Sequence, residues 1–356
     1  MNAAEYGTSS PGVAEVEPAV PGAGEPGDSA GGPALEPKNR LSGGATGFVT
    51  RFGLIGAWLL IIVIFGAIDG SKFLSTASFT AIFSDQSTLA LGALALLVPL
   101  VAGEYDLSVA GTIGISSVVI AVLNVQHGWP IALTIVAAVV VGAFIGLVNA
   151  VVIITWQVNS LIATLGMLSV LEGLQLLVSG QVTIPGVSSS FVQAVSGHPL
   201  GLTNSFYFAV VVGAIVWYAI EFTPAGRRMR FTGLNRDVSR LAGIRVNRVK
   251  CVSLVVSGCL AALAGAVNVG TIGAADPTSA ASLLLPIFAT VFLGVTVINV
   301  GRFNVWGTLI AVFFLTTGFT GLELLGLATW IQQVFYGGVL IAAVAGSQYL
   351  SRRSQV

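Results

Sequence analysis

Beyond residue 50 the chain alternates long apolar runs with short polar breaks. Windows of about 20 residues, the length a helix needs to cross a hydrocarbon layer, fall near 53–68, 86–102, 107–125, 130–155, 160–178, 205–221, 250–272, 283–299, 304–322 and 328–348. The pattern predicts an all-α protein: a polytopic membrane helix bundle of about ten transmembrane helices, with room for broken or re-entrant segments. Residues 1–45 differ, being Pro, Gly, Ala and Ser with scattered Glu and a single aromatic, Tyr6. Such a segment buries too little apolar surface to offset its ordering entropy. It reads as a disordered cytoplasmic tail without the basic start and apolar core of a secretory signal. The transmembrane domain is then 46–350, with a cytoplasmic loop at 223–250 and a short C-terminal tail at 351–356.

Composition agrees with a membrane protein. Of 356 residues 55% are hydrophobic and 8% charged, with a mean hydropathy of +0.92, whereas a soluble domain carries about 25% charged residues. The formal net charge is zero, so nothing points to a nucleic acid partner; the positions of the cations matter more. Lys38, Arg40 and Arg51 precede the first run. Arg227, Arg228, Arg230, Arg236, Arg240, Arg245, Arg248 and Lys250 fill the loop after the sixth, and Arg352 and Arg353 follow the tenth. An even number of spans puts all three clusters on one face, which by the positive-inside rule is the cytoplasm, so both termini are expected there. Only Lys72 and Arg302 of the 15 basic residues lie outside the clusters, and Arg302 falls on the same face.

Small residues recur at helical spacing, Gly142, Gly146 and Ala150 in one run and Ser257, Ala261 and Gly265 in another, where they let helix backbones approach closely. Asn149 sits in the first of these runs, and its amide needs a partner inside the bundle, either bracing helices or lining a path. Cys251 and Cys259, eight apart on one apolar run, fit neither a disulfide framework nor a metal site and read as small buried apolar residues. In the basic loop Asn235 suits an N-cap, Arg236 to Ala242 can form two turns with Val238 and Leu241 on one side, and Gly243 suits the left-handed residue after a helix. So short a helix is marginal alone and must dock on something. His127 and His198 fall in outer loops.

Two acids stand between apolar runs, in VAGEYDLSVAG at 101–111. A carboxylate at membrane depth is costly unless it has a partner or a role. Asp106 is placed to cap the helix that starts at Leu107, facing its positive end. Glu104 and Tyr105 either see a transport path or lie at the cytoplasmic interface.

Several motifs occur in order over roughly residues 50–348: G-x-x-DLS at Gly103, Asp106, Leu107 and Ser108; G-x-x-x-G-x-x-N at Gly142, Gly146 and Asn149; IATLG at 162–166; GRR at 226–228; G-x-N followed by LAGI at Gly233, Asn235 and 241–244; ADP at 275–277; LG-x-T at 293–296; and GT at 307 and 308. In this order and spacing the chain resembles the membrane-spanning permease subunits of bacterial ABC importers for sugars, the ribose and xylose type. The resemblance implies a half-pore in the bacterial cytoplasmic membrane that pairs with a second permease subunit, receives a monosaccharide or similar solute from an extracytoplasmic binding protein, and is driven by cytoplasmic ATPase subunits. The short helix in the basic loop is then the ATPase coupling segment, with Gly233, Asn235, Leu241, Ala242, Gly243 and Ile244 as its residues. The pathway candidates are Glu104, Tyr105, Asp106, Asn149, Thr164, Phe288 and Thr296. No G-x-x-x-x-G-K-[ST] occurs in the chain, so no cofactor is expected on it, and ATP and Mg belong to the partner ATPase. The loop at 179–203 is a candidate for docking the binding protein.

Departures from the family pattern bear on substrate. Asn159 and Ser160 stand where a Pro is usual, Glu172 where a basic residue is common, and Asp237, Val238 and Ser239 where small residues and Glu are typical; the stretch VTVINVGRFN is poorer in glycine, and an acid is missing within SLLLPIFAT. Fold and coupling mode carry over; the identity of the solute does not. The competing reading is an ion-coupled secondary transporter using Glu104, Asp106 and Glu172 as a relay. A membrane-embedded enzyme would need a motif such as H-E-x-x-H or G-x-S-x-G, and neither is in the sequence.

Overall fold

The computed structural model describes residues 45–199, 201–327 and 330–353. Fourteen α-helices occur among them: α1 Ala45–Phe73, α2 Thr76–Phe83, α3 Ser87–Val101, α4 Ser108–Ala121, α5 Ile131–Thr155, α6 Ser160–Ser179, α7 Ser189–Ser196, α8 Asn204–Phe222, α9 Pro224–Leu234, α10 Arg236–Leu241, α11 Val246–Ile272, α12 Leu284–Gly294, α13 Val305–Leu324 and α14 Trp330–Arg353. Among the described residues eight helical segments are long and apolar enough to cross a membrane, with α2 and α3 forming one, Thr76–Val101. Shorter apolar helices at Ser279–Gly294 and Trp330–Ala345 account for the remaining two of the ten expected runs. The expected tail lies outside the described residues except for Ala45, where α1 begins, and α14 continues to Arg353 into the expected C-terminal tail.

Local chemistry sets the helix ends. Thr203 Oγ1 accepts the Phe206 N–H at the start of α8, and Asn304 Oδ1 accepts that of Gly307 at the start of α13, each satisfying an amide the helix cannot. Gly180 and Gly273 close α6 and α11 with φ of +67° and +73°. The eighth run ends as helix at Gly294 rather than near 299, because Asn304 Nδ2 donates to the carbonyls of Gly294, Val297 and Arg302 and gathers the chain into a turn. Within the basic loop α9 precedes the expected short helix, and α7 lies in the loop between α6 and α8; neither was expected.

The core forms around α3, all of whose residues are buried, with α11, α4, α8 and α12 packed on it. The glycines of α5 meet α11 directly: a Cβ on Gly142 would lie 2.8 Å from the Ala262 methyl and collide with the Gly258 carbonyl, and one on Gly146 would meet that of Leu254. Ser257, Ala261 and Gly265 belong to another face of α11. A Cβ on Gly265 would lie 2.5 Å from the Ile113 carbonyl oxygen of α4, and Ser117 Oγ donates to the Gly265 carbonyl at 3.1 Å.

The bundle has two distinct ends. At one, the loops 124–130, 180–203 and 273–278 meet: Ile184 pairs with Ala275 in a two-stranded antiparallel bridge, β1 Ile184–Pro185 with β2 Ala274–Ala275, and Ser188 N–H donates to Asn124 Oδ1 at 3.0 Å. At the other, the loop 102–107 meets the basic segment 223–250.

Candidate functional site at the basic end

The loop between α3 and α4 is folded back on the end of α3: the Ala102 and Glu104 amides both donate to the Pro99 carbonyl, at 3.0 and 2.9 Å. Gly103 takes φ of +80°, and a Cβ there would lie 3.1 Å from Gly233 Cα. Both features demand glycine, one for conformation and one for approach. They bring the end of α9 against the loop.

Glu104 is 2% exposed and holds two cations. Lys250 Nζ, at the fifth residue of α11, lies 2.5 Å from Glu104 Oε1, and Arg236 Nη2, at the first residue of α10, lies 2.9 Å from the same oxygen. The Arg236 nitrogen also donates to the Gly103 carbonyl at 2.7 Å. The Lys250 side chain is 10% exposed and that of Arg236 45%, so the two contacts differ in strength. The first is a buried ion pair whose loss strands a charge; the second is partly screened by solvent.

Asp106 binds hydroxyl and amide donors. Its Oδ1 accepts the Ser108 N–H at 3.1 Å and the Ser108 hydroxyl at 2.6 Å, its Oδ2 accepts the Ser257 hydroxyl of α11 at 2.7 Å, and Asn149 Nδ2 of α5 donates to Ser108 Oγ at 2.8 Å. These four side chains are all buried. Helix α4 starts at Ser108 with Leu107 at its cap position, one residue later than expected, so Asp106 stands before the cap instead of filling it; its carboxylate holds Ser108, the first helical residue, and ties α4 to α11 directly and to α5 through Ser108. Two further loop amides are met by α6, where Thr164 Oγ1 accepts the Leu107 N–H at 3.0 Å and Ser160 Oγ that of Tyr105 at 3.2 Å. Asn159 Oδ1 accepts the Leu161 N–H at 2.9 Å and caps α6. The Asn159–Ser160 pair therefore has a structural use.

Beside Tyr105 a polar cavity of about 620 Å³ is lined by Glu104, Gln157, Asn159, Arg236, Asn247 and Lys250 among others. Glu104 and Tyr105 line this cavity; Asp106, Asn149 and Thr164 are enclosed in the hydrogen-bonded network. Phe288 is stacked on Phe292, with centroids 6.2 Å apart, and packs on the core around α3, while the Thr296 hydroxyl donates to the Leu293 carbonyl at 2.7 Å. The pathway candidates are thus divided among three places. Glu172, on α6, is half-buried.

The segment after α9 is built as a projecting helix. Asn235 Oδ1 accepts the Asp237 and Val238 amides at 3.0 and 3.1 Å, and Gly243 ends the helix with φ of +79°. Leu241 is 89% exposed and Val238 60%; these apolar side chains stand out from the basic end, while Ser239 is buried beneath them. Helix α10 ends at Leu241, leaving Ala242 as its C-cap, and the Ile244 amide returns to the Ser239 carbonyl at 2.9 Å. Among the described residues no group of three His, Cys, Asp or Glu is placed to hold a metal ion.

Sequence reading missed the clamp on Glu104. Arg236 registered as a topology charge and the start of the short helix, Lys250 only as a topology charge, and Ser257 only as a small residue, because partners 132 and 151 positions apart leave no local pattern. The one available signal was a buried acid opposite a basic loop. The cysteines are also less enclosed than expected, both being only partly buried.

Residues 78–344 match a family model described as the permease component of branched-chain amino acid transport systems. The chain belongs to this permease family. Its curated relatives include the D-allose transport system permease protein of Escherichia coli K12, 29% identical over 306 residues, 86% of this chain and 94% of the relative. The L-arabinose ABC transporter permease protein of Azospirillum brasilense is 27% identical over 317 residues, covering 89% and 92%. The autoinducer 2 import system permease protein of Escherichia coli K12 is 31% identical over 309 residues, covering 85% and 93%. No solved structure matches. The family and the apolar helices make this permease component a multi-pass membrane protein.

Proposed function

We propose that the chain is the membrane-spanning subunit of an ATP-driven importer, forming part of the translocation pathway for a monosaccharide or similar small polar solute. The observation that carries this reading is α10: a capped helix of six residues, too short to stand alone, holding Leu241 and Val238 out into water at the basic end of the bundle. Apolar side chains displayed there fit a groove on a cytoplasmic ATPase. That subunit supplies the site for ATP and Mg, since this chain has no phosphate-binding loop motif. The sugar-related names of its relatives support the solute class. A second permease subunit and an extracytoplasmic binding protein complete the assembly, which resides in a bacterial cytoplasmic membrane with both termini inside, as the basic clusters favour. The ion-coupled alternative has less support. Glu104 is held by cations and Asp106 by hydroxyls, and among the described residues no hydrogen bond links them to Glu172.

Uptake of a panel of labelled sugars by cells with and without this chain, its ATPase and its binding protein tests the reading. ATP-dependent uptake of at least one sugar should vanish when the chain is deleted. Uptake that survives ATPase inactivation and follows an ion gradient would instead establish the secondary transporter.

A further inference from the structure

The cations of the basic end divide into two groups. Arg230 pairs with Glu221, Arg236 and Lys250 with Glu104, and Arg240 with Asp237. The guanidinium groups of Arg227, Arg228, Arg245, Arg248 and Arg302 make no ion pair or hydrogen bond among the described residues; of these, Arg228, Arg245 and Arg248 surround one cavity of about 640 Å³ between α9 and α11, and Arg227 and Arg302 lie apart from it. Its other walls are mostly apolar: Met229 of α9, Val249 and Val252 of α11, and Ala242, Gly243 and Ile244 of the segment proposed above for ATPase coupling, which the cavity therefore borders.

The cavity opens onto an uncovered stripe of an otherwise enclosed helix. On α11 most residues are buried, yet Val252 is 50% exposed, Val256 is exposed and Cys259 and Leu263 are partly so. Their spacing of three or four residues places them on one face, directly below Arg245 and Arg248. With 27 residues, α11 is longer than the roughly 20 that cross the hydrocarbon, so its first turns reach headgroup level while the valine stripe runs along the acyl chains.

We infer that this is a binding site for an anionic phospholipid, with the phosphate held by Arg228, Arg245 and Arg248 and one acyl chain lying along Val252, Val256 and Leu263. Unpaired cations above an apolar track complement a molecule with a charged head and an apolar tail, and basic pockets between helices at the cytoplasmic surface bind such headgroups. A second copy of this chain fits less well. Seated on the same stripe through a two-fold axis along the membrane normal, it would bring its own arginines to the same depth, like charge against like.

The test uses the purified full chain, equilibrated with vesicles of equal phosphatidylglycerol and phosphatidylcholine, and reads retained lipid by native mass spectrometry. The wild-type chain should keep phosphatidylglycerol in preference to phosphatidylcholine. The triple variant Arg228→Gln/Arg245→Gln/Arg248→Gln should lose that preference by about 100-fold, each cation near the surface contributing roughly a factor of five. Arg227→Gln/Arg302→Gln, which removes cations elsewhere on this end, should leave it unchanged. Val252→Trp, which blocks the track with the charges intact, should also reduce retention. Equal retention by the wild type and the triple variant overturns the inference. So does displacement of the lipid by inorganic phosphate alone, which identifies a site for the free anion. A triple variant that keeps its lipid yet no longer co-purifies with the ATPase would assign the arginines to an acidic protein surface.

Discussion

Glu104→Gln removes the one buried anion facing Lys250 and Arg236 while keeping the size of the side chain. Lys250, with 10% of its side chain exposed, then carries an uncompensated charge. Breaking a buried pair from one side costs about 3–5 kcal/mol; because Lys250 is near the end of the bundle and can extend toward water, the lower end applies, about 3 kcal/mol or roughly 100-fold in the folded ratio. Arg236→Gln should cost only about 0.2–1 kcal/mol, since that guanidinium is 45% exposed and Lys250 still neutralises Glu104. The double variant Glu104→Gln/Lys250→Met should recover most of the loss, because removing both members of a buried pair is often neutral. Thermal unfolding of the purified protein in detergent, followed by size-exclusion chromatography of the surviving fraction, ranks the four proteins. A Glu104→Gln variant as stable as wild type, or a double variant no better than the single, would refute the claim that this pair is buried and coupled.

Asp106→Ala leaves the Ser108 amide and the Ser108 and Ser257 hydroxyls without their acceptor and should lower folded protein in the membrane, at about 1–3 kcal/mol per buried group left unmatched, whereas Asp106→Asn keeps an acceptor oxygen and should retain most of it; a fluorescent fusion counted after solubilisation distinguishes them. Gly146→Val presses a branched side chain against the Leu254 backbone and should separate α5 from α11, read as loss of the monodisperse species. Gly243→Val forces a β-branched residue to a φ of +79°, so ATPase co-purification should fall while membrane abundance holds; unchanged ATPase binding and hydrolysis would return the basic loop to a simple topology signal. Asp276 accepts the Thr278 N–H at 2.8 Å and its hydroxyl at 2.7 Å, bonds that hold its carboxyl below the usual carboxylate range. With the folded value depressed, its contribution is present above the unfolded value of about 3.9 and disappears as pH falls through the folded one. An Asp276→Asn variant should therefore differ from wild type at neutral pH and converge with it in acid.

The helices were legible because long apolar runs have few alternatives, and each of the ten runs holds a helix, the eighth only as far as Gly294. Polar helices were harder. Helix α9 carries three arginines and no apolar period, though Thr223 followed by Pro224 marks a start, and Thr223 Oγ1 indeed accepts the Gly226 amide at 3.2 Å. The turn after α12 was read as more span because Val295, Val297 and Ile298 are apolar, whereas Asn304 decides the chain's course from beyond the run. At the site, the cap at Asn235 and the positive φ of Gly243 follow from neighbouring residues and were readable. The Glu104 clamp and the Asp106 network join segments more than 100 residues apart, and no local property of the sequence encodes which hydroxyl or cation arrives.

The enclosure of α3 has a consequence for biogenesis. This helix leaves the ribosome long before α11, which supplies much of its sheath and begins only at Val246. Until then its flanks face lipid, and the sequence LALGALALLVPLV can wait there because it is apolar all round. The loop behind it cannot mature so early: Asp106 meets Ser257 across 151 residues, and Glu104 finds both cations only once Arg236 and Lys250 have been made. A nascent chain arrested before Val246 should therefore hold its helices inserted with the loop 102–107 still open to protease. Arrival of α11 is the step that closes it, so maturation of this end of the bundle is timed by translation of a distant segment rather than by its own insertion.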